Sequence, residues 1–216
     1  MTDAAQQGFL RKSAWKFLIR YAVCALPVDV FRLCGDMAVI LRTYADLSVL
    51  ISQPESYIHL HYDPDGFAVW SRRDQAFLIY YNQAVHETVK RWTLMHELAH
   101  IHLGHIRQDA FYARTKGQSR QWLEEEADGF TRRVLCPSIV LHEIQALTPQ
   151  AIARCCGISM QAASYRARLM AALELRNLFF YDPLEKQVAQ QFSDYIREQQ
   201  KQLHSNRNIK AIRFFD

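Results

Sequence analysis

Apolar residues Val89, Trp92, Leu94, Met95, Leu98 and Leu103 recur at helical intervals, with no proline or glycine before Gly104, and predict one helix over residues 85–103. A second helix is expected over 120–135, where Leu123, Ala127, Phe130 and Val134 form one apolar stripe. Upstream, 14–26 and 28–34 read as helices separated by Pro27. Period-two alternation predicts strands at 38–44, 67–71 and 76–81, with Asp63-Pro64-Asp65-Gly66 and Arg73-Asp74-Gln75 marking turns. His59 and His61 alternate with Ile58 and Leu60, which suggests a further short strand. Residues 150–170 read as a helical pair and 184–203 as one helix. The expected fold is α+β with a small antiparallel sheet, in which 76–81 forms the edge strand leading into the long helix.

That helix carries His96-Glu97-Leu98-Ala99-His100. On a regular helix the second histidine lies only about 40° round from the first, so both imidazoles can hold one metal ion, while Glu97 sits about 100° round, beside the pair. Two neutral imidazoles leave room for a third protein ligand and a water, whose pKa a bound zinc ion lowers to roughly 7. HExxH spacing on an uninterrupted helix therefore points to a zinc hydrolase with Glu97 as the acid/base.

The third ligand is sought in Glu124-Glu125-Glu126 on the second helix. Glu125 lies nearly opposite the apolar stripe and faces solvent, whereas Glu124 and Glu126 flank the stripe and either could reach a buried metal. Glu124 is followed one turn later by Asp128, and Glu126 by Phe130. Zinc-bound histidines usually donate their second ring N–H to a carboxylate, which Asp128 can supply. Glu124 is thus expected as ligand and Asp128 as the partner of a ligand histidine, with Glu126 as the fallback ligand. Leu103 and Ile106 stand where a third-histidine zinc peptidase would need glycine and histidine, which excludes that class. His102 and His105 fall off the ligand face or past the helix end and read as surface or polar-network residues, His105 keeping a possible supporting role.

The runs "FLIYYNQAVHETVKRWTLMHELAHIHLGH", "WLEEEADGFTRRVLCP" and "LTPQAIARCCGISMQAASYRARLM" occur in that order. With them the chain, over residues 27–173, resembles the ImmA/IrrE family of metallopeptidases. The resemblance implies a zincin-like catalytic domain with an active-site helix pair. It also implies a cytosolic bacterial protease that cuts a helix-turn-helix repressor and so releases stress-response or mobile-element genes. By resemblance His96, His100 and Glu124 match the metal ligands and Glu97 the catalytic acid/base.

A chain of 216 residues, 50% hydrophobic, can bury a full core. The division expected is 1–145 for N-terminal helices and catalytic domain, 146–175 for a helix-turn-helix-like hairpin and 176–216 for a helical tail. The net charge of +4 is mild and its basic residues are scattered, so charge alone does not call for nucleic acid or a membrane. Five cysteines, none in C-x-x-C spacing, suit free thiols in a reducing compartment and hence the cytoplasm. No apolar run approaches the roughly 18 residues a membrane helix needs. Near the N-terminus Arg11, Lys12, Lys16 and Arg20 interrupt Phe9, Leu10, Trp15, Phe17, Leu18 and Ile19 at helical spacing, as in an amphipathic helix packed on the protein's own core.

The expected activity is zinc-dependent endoproteolysis, although the ligand set also accepts manganese and other divalent ions. Tyr80, Tyr81 and Asn82, at the end of the strand entering the motif helix, are candidate substrate-binding residues. Tyr80, Tyr81, Tyr112, His105 and His142 are all candidates for stabilising an oxyanion, and spacing does not rank them. The competing reading is a DNA-binding regulator with a structural metal: Ala153, Gly157, Ile158 and Ala163 suit a helix-turn-helix, with Arg166 and Arg168 on its second helix.

Overall fold

A computed structural model describes residues 4–106 and 121–212, those beyond 203 by backbone alone. Tyr112, named above, and position 120, the first of the expected second helix, lie outside the described residues. The chain opens with α1 (Ala4–Arg20), whose Leu10, Ala14, Trp15, Phe17 and Leu18 are buried as its amphipathic pattern requires. Asp29 caps α2 (Val30–Asp36) by accepting from Arg32 N, so this helix starts two residues later than periodicity suggests.

Strand β1 (Ile40–Thr43) stops where Thr43 and Asp46 form a capping box that starts α3 (Tyr44–Ile51). Next comes α4 (Glu55–His61), where a strand containing His59 and His61 was expected. Pro54 precedes a first-turn Glu55, and only Ile58 is buried, so the alternation across four residues is that of a one-turn apolar contact and not of a sheet face.

The sheet is completed by β2 (Gly66–Ser71) and β3 (Ala76–Tyr81), and its order is β1-β3-β2. This corrects two expectations. The sheet is mixed, because β1 runs parallel to β3 (Ile40 opposite Leu78) while β2 runs antiparallel to it (Ala68 opposite Ile79). And β3 lies in the centre, which its buried Leu78, Ile79 and Tyr80 require, leaving β2 as an edge.

Helices α5 (Glu87–His102) and α6 (Gln121–Leu135) pack together through Leu94, Met95, Leu98 and Ala99 on the first and Ala127, Phe130 and Val134 on the second. Helix α1 covers α6, where Gly129 permits close approach: a Cβ there would lie 3.1 Å from Leu10 Cδ1. The chain then forms α7 (Ser138–Glu143), α8 (Pro149–Cys156) and α9 (Met160–Leu175), the last two packed on each other across Gly157, whose φ is +62°. The tail is two helices instead of the expected one, α10 (Pro183–Gln191) and α11 (Ser193–Ile212), because α10 ends at Phe192, which turns into the core.

One hydrophobic core runs from Leu10 through the α5–α6 pair and Ile152, Ile158 and Met170 of the hairpin region to Ile196. Among the described residues no helix is long and apolar enough to cross a membrane. Arg166 of α9 is only 4% exposed and donates to Cys136 O and Ser138 Oγ, so of the two arginines on α9 only Arg168 faces outward.

A candidate metal centre between two helices

Packing of α5 on α6 brings the ligand atoms of His96, His100 and Glu124 within 4.8 Å of one another, the single such His/Cys/Asp/Glu group among the described residues. His96 Nε2 lies 3.0 Å from His100 Nε2 and 3.1 Å from Glu124 Oε2, and His100 Nε2 lies 3.5 Å from the same oxygen. Donors about 2.0–2.1 Å from a tetrahedral zinc ion stand roughly 3.3 Å apart, so this triangle suits one small divalent cation. Two imidazole nitrogens facing each other at such range need a proton or a cation between them. The residues present fit a metal.

The remaining ring nitrogens are also engaged. His96 Nδ1 meets Asp128 Oδ1 at 3.0 Å, so the carboxylate one turn beyond Glu124 holds the ring of His96. His100 Nδ1 meets His105 Nδ1 at 3.1 Å, and His105 Nε2 meets Glu126 Oε2 at 3.1 Å. Glu126 accepts in addition from Gln6 Nε2 of α1. Glu124 therefore sits with the histidine pair, and Glu126 instead anchors the outer partner of His100. His105 is not a surface residue, since its side chain is only 6% exposed.

The end of α5 explains this. Gly104 takes φ +76°, its N–H bonds Ile101 O, and His105 N–H reaches back five residues to His100 O. This is a Schellman closure, which folds the residue after the glycine over the last turn. Gly104 was the available sequence signal; helical periodicity alone places His105 beyond the helix.

Glu97 is 3% exposed, and its Oε2 accepts the main-chain N–H of Ala68 at 2.9 Å. It thus bridges α5 to the edge strand. The close approach of β2 to α5 depends on Gly66, where a Cβ would lie 2.6 Å from Thr93 Cγ2. The cleft in front of the donors is lined by Asp63, Asp65, Gly66, Trp92 and Thr93 together with His96, Glu97, Glu124 and Asp128. Of these, Asp63, Asp65, Trp92 and Thr93 are not marked as site residues by the sequence, because their convergence depends on how the turn before β2 meets α5.

Tyr80, Tyr81 and Asn82 do not line this cleft. Tyr80 packs on Phe67 in the small core under the sheet, Tyr81 meets Phe31 edge-on, and Asn82 bonds Pro64 O and Ala84 N. Their strand is central, so its ends are taken up by the sheet's own neighbours. His142 lies elsewhere, paired with Glu174 at 2.8 Å and stacked on Phe179. His102 meets Ser13 Oγ at 3.2 Å and packs against Phe17 and Phe130.

Burial pushes the pKa of His96 down, but hydrogen bonds that its ring donates to the Asp128 and Glu124 carboxylates outweigh it and lift the value from 6.5 to about 9. A raised folded-state pKa stabilises below the unfolded value and is lost as pH rises through the folded one. Metal-stripped protein is therefore expected to lose stability as pH rises from 6.5 to about 9, by on the order of a few kcal/mol. Metal-loaded protein is expected to lack this loss, because binding favours the deprotonated rings. Urea melts of both forms across this window test it; a flat curve for the stripped protein refutes it.

A family model, Peptidase M78 or IrrE N-terminal-like domain, matches residues 49–168, more than half of the chain. A comparison with curated proteins finds no match. The matched span holds the HExxH helix, the acidic helix and most of the α8–α9 pair, and on it the chain belongs to the ImmA/IrrE family of metallopeptidases.

Proposed function

We propose that the protein is a metal-dependent endopeptidase, zinc being the first candidate ion, with His96, His100 and Glu124 as ligands and Glu97 as the catalytic acid/base. The observation that carries this reading is the 3.0–3.5 Å triangle of donors beside a buried glutamate outside it. His₂Glu is a donor set used by catalytic zinc, which keeps a position open, and a structural site would fill every position with protein ligands. A divalent ion held there supplies Lewis acidity toward a carbonyl and acidifies a water.

Glu97 takes a proton from the attacking water as its oxygen bonds to the scissile carbonyl carbon, and returns a proton to the amine nitrogen as the C–N bond breaks. Asp128 keeps His96 in the tautomer that presents Nε2, and His105 with Glu126 fixes the ring of His100. The outer strand β2 aligns the substrate: Ala68 turns its N–H toward Glu97, so the outer edge of β2 runs beside the acid/base.

Membership of the family supports a protein substrate, and we take it to be a helix-turn-helix repressor encoded nearby, whose cleavage in the cytoplasm derepresses stress or mobile-element genes. The competing reading, a DNA-binding regulator, is weakened by Arg166, which is turned into the core.

Purified protein mixed with the repressor encoded beside it is expected to give discrete fragments. Chelator-stripped protein is expected to give none, and added zinc to restore them. Continued cleavage after the chelator has removed all bound metal would exclude a metallopeptidase, and intact repressor in every arm would exclude this substrate.

A further inference from the structure

The cleft at the metal donors does not end there. Asp65, Trp92 and Thr93 also line a second cavity of about 410 Å³ that extends to the start of α9. Such a volume accommodates part of a peptide. At its far side stand Arg132 of α6 and Arg168 of α9, their guanidinium carbons 4.4 and 5.6 Å from the centre of the Tyr165 ring. Stacked on an aromatic face, a guanidinium keeps its N–H edge available for a carboxylate.

Among the described residues neither arginine has a carboxylate within ion-pair distance. Asp128, one turn before Arg132, is committed to His96. The cleft is consequently bipolar, with Asp63, Glu124 and Asp128 at the metal end, Asp65 at the junction, and two arginines without a carboxylate partner among the described residues at the other end.

Resting on the peptidase reading, we infer that the Arg132–Tyr165–Arg168 cavity is a substrate subsite that selects an acidic side chain, Asp or Glu, a few residues from the scissile bond. Trp92 packs on its methylenes and the two guanidiniums, held against Tyr165, take its carboxylate. The carboxylates at the metal end repel the same side chain, which sets the direction in which the peptide lies. Helix α9 is thereby part of the substrate cleft, with Arg168 supplying specificity and Arg166 structure.

The test is an array of short peptides in matched sets that differ only by Glu, Gln or Lys at one position. It is probed with full-length, metal-loaded Glu97→Gln protein, whose slowed cleavage lets binding be read before turnover, and with that protein also carrying Arg132→Glu and Arg168→Glu. Glu members are expected to bind about tenfold more tightly than Gln members, the preference a charge-assisted hydrogen bond gives over a neutral one. The doubly reversed protein is expected to prefer Lys members. Arg168→Glu alone, at an exposed position, is expected to abolish most of the Glu preference without disturbing the fold.

Equal binding of Glu, Gln and Lys members, or a Glu preference that survives these reversals, would overturn the subsite. So would duplex DNA that binds through the same arginines when no peptide set shows a Glu preference. Binding is read before turnover, so the two readings fail separately. If wild-type protein cuts none of the peptides that show the preference, the peptidase reading fails while recognition of an acidic side chain in this cavity stands; if it cuts without regard to Glu, the subsite fails alone.

Discussion

Glu97→Gln protein is expected to retain its fold and its metal and to cut the substrate more slowly by on the order of 10²–10⁴-fold, the usual contribution of a positioned acid/base. Glutamine is the informative substitution because of what Glu97 does structurally. Its Oε2 accepts the Ala68 N–H at 2.9 Å in a nearly sealed position. The amide oxygen of glutamine can keep that bond, whereas Glu97→Ala would leave the half-buried Ala68 N–H without this partner, at up to about 1–3 kcal/mol, and loosen β2. The neutral amide cannot accept a proton from water, so only the chemistry is removed. Metal content and cleavage rate are measured on the same preparation. Wild-type rates in Glu97→Gln would rule out its role as base, and loss of metal would make Glu97 a ligand.

Much of this centre was legible in the sequence because the deciding spacings are short. His96 and His100 share one helical face, and Glu124 and Asp128 share another, so local periodicity suffices once both segments are known to be helices. The location of their mutual contact follows from the apolar stripes that pack α5 on α6. What stayed hidden depends on pairing between distant segments. The parallel pairing of Ile40 with Leu78 inserts β1 against β3 and makes β2 the strand beside Glu97; nothing in either strand's own alternation states its neighbour.

His105 stayed hidden for a different reason. It falls outside the helical pattern and returns to His100 only through the left-handed turn at Gly104. Arg132 and Arg168 are far apart in sequence and meet on Tyr165 only after α9 has packed in place. The brief alternation at His59 and His61 is ambiguous in itself, and the proline and glutamate that begin α4 decide it.

The ligand atoms and their outer partners should separate in a ladder of metal affinities. Glu124→Ala removes one of three protein donors and is expected to weaken metal binding on the order of 10²–10⁴-fold, about 3–5 kcal/mol against the roughly 10–16 kcal/mol typical of a full structural zinc site. Asp128→Ala and His105→Ala leave all donors in place and free one ring each, since Asp128 holds His96 and His105 holds His100. Loss of such orienting partners typically costs 10–100-fold. Glu126→Ala acts one bond further out, through His105, and is expected to cost less than His105→Ala. Competition with a zinc chromophore chelator gives all four affinities, and melting of the stripped proteins separates loss of fold from loss of metal. If Glu126→Ala proved as damaging as Glu124→Ala in a stably folded protein, the ligand would have to be reassigned. If His105→Ala bound metal as tightly as wild type, the His100–His105–Glu126 chain would be packing alone and not support for the centre.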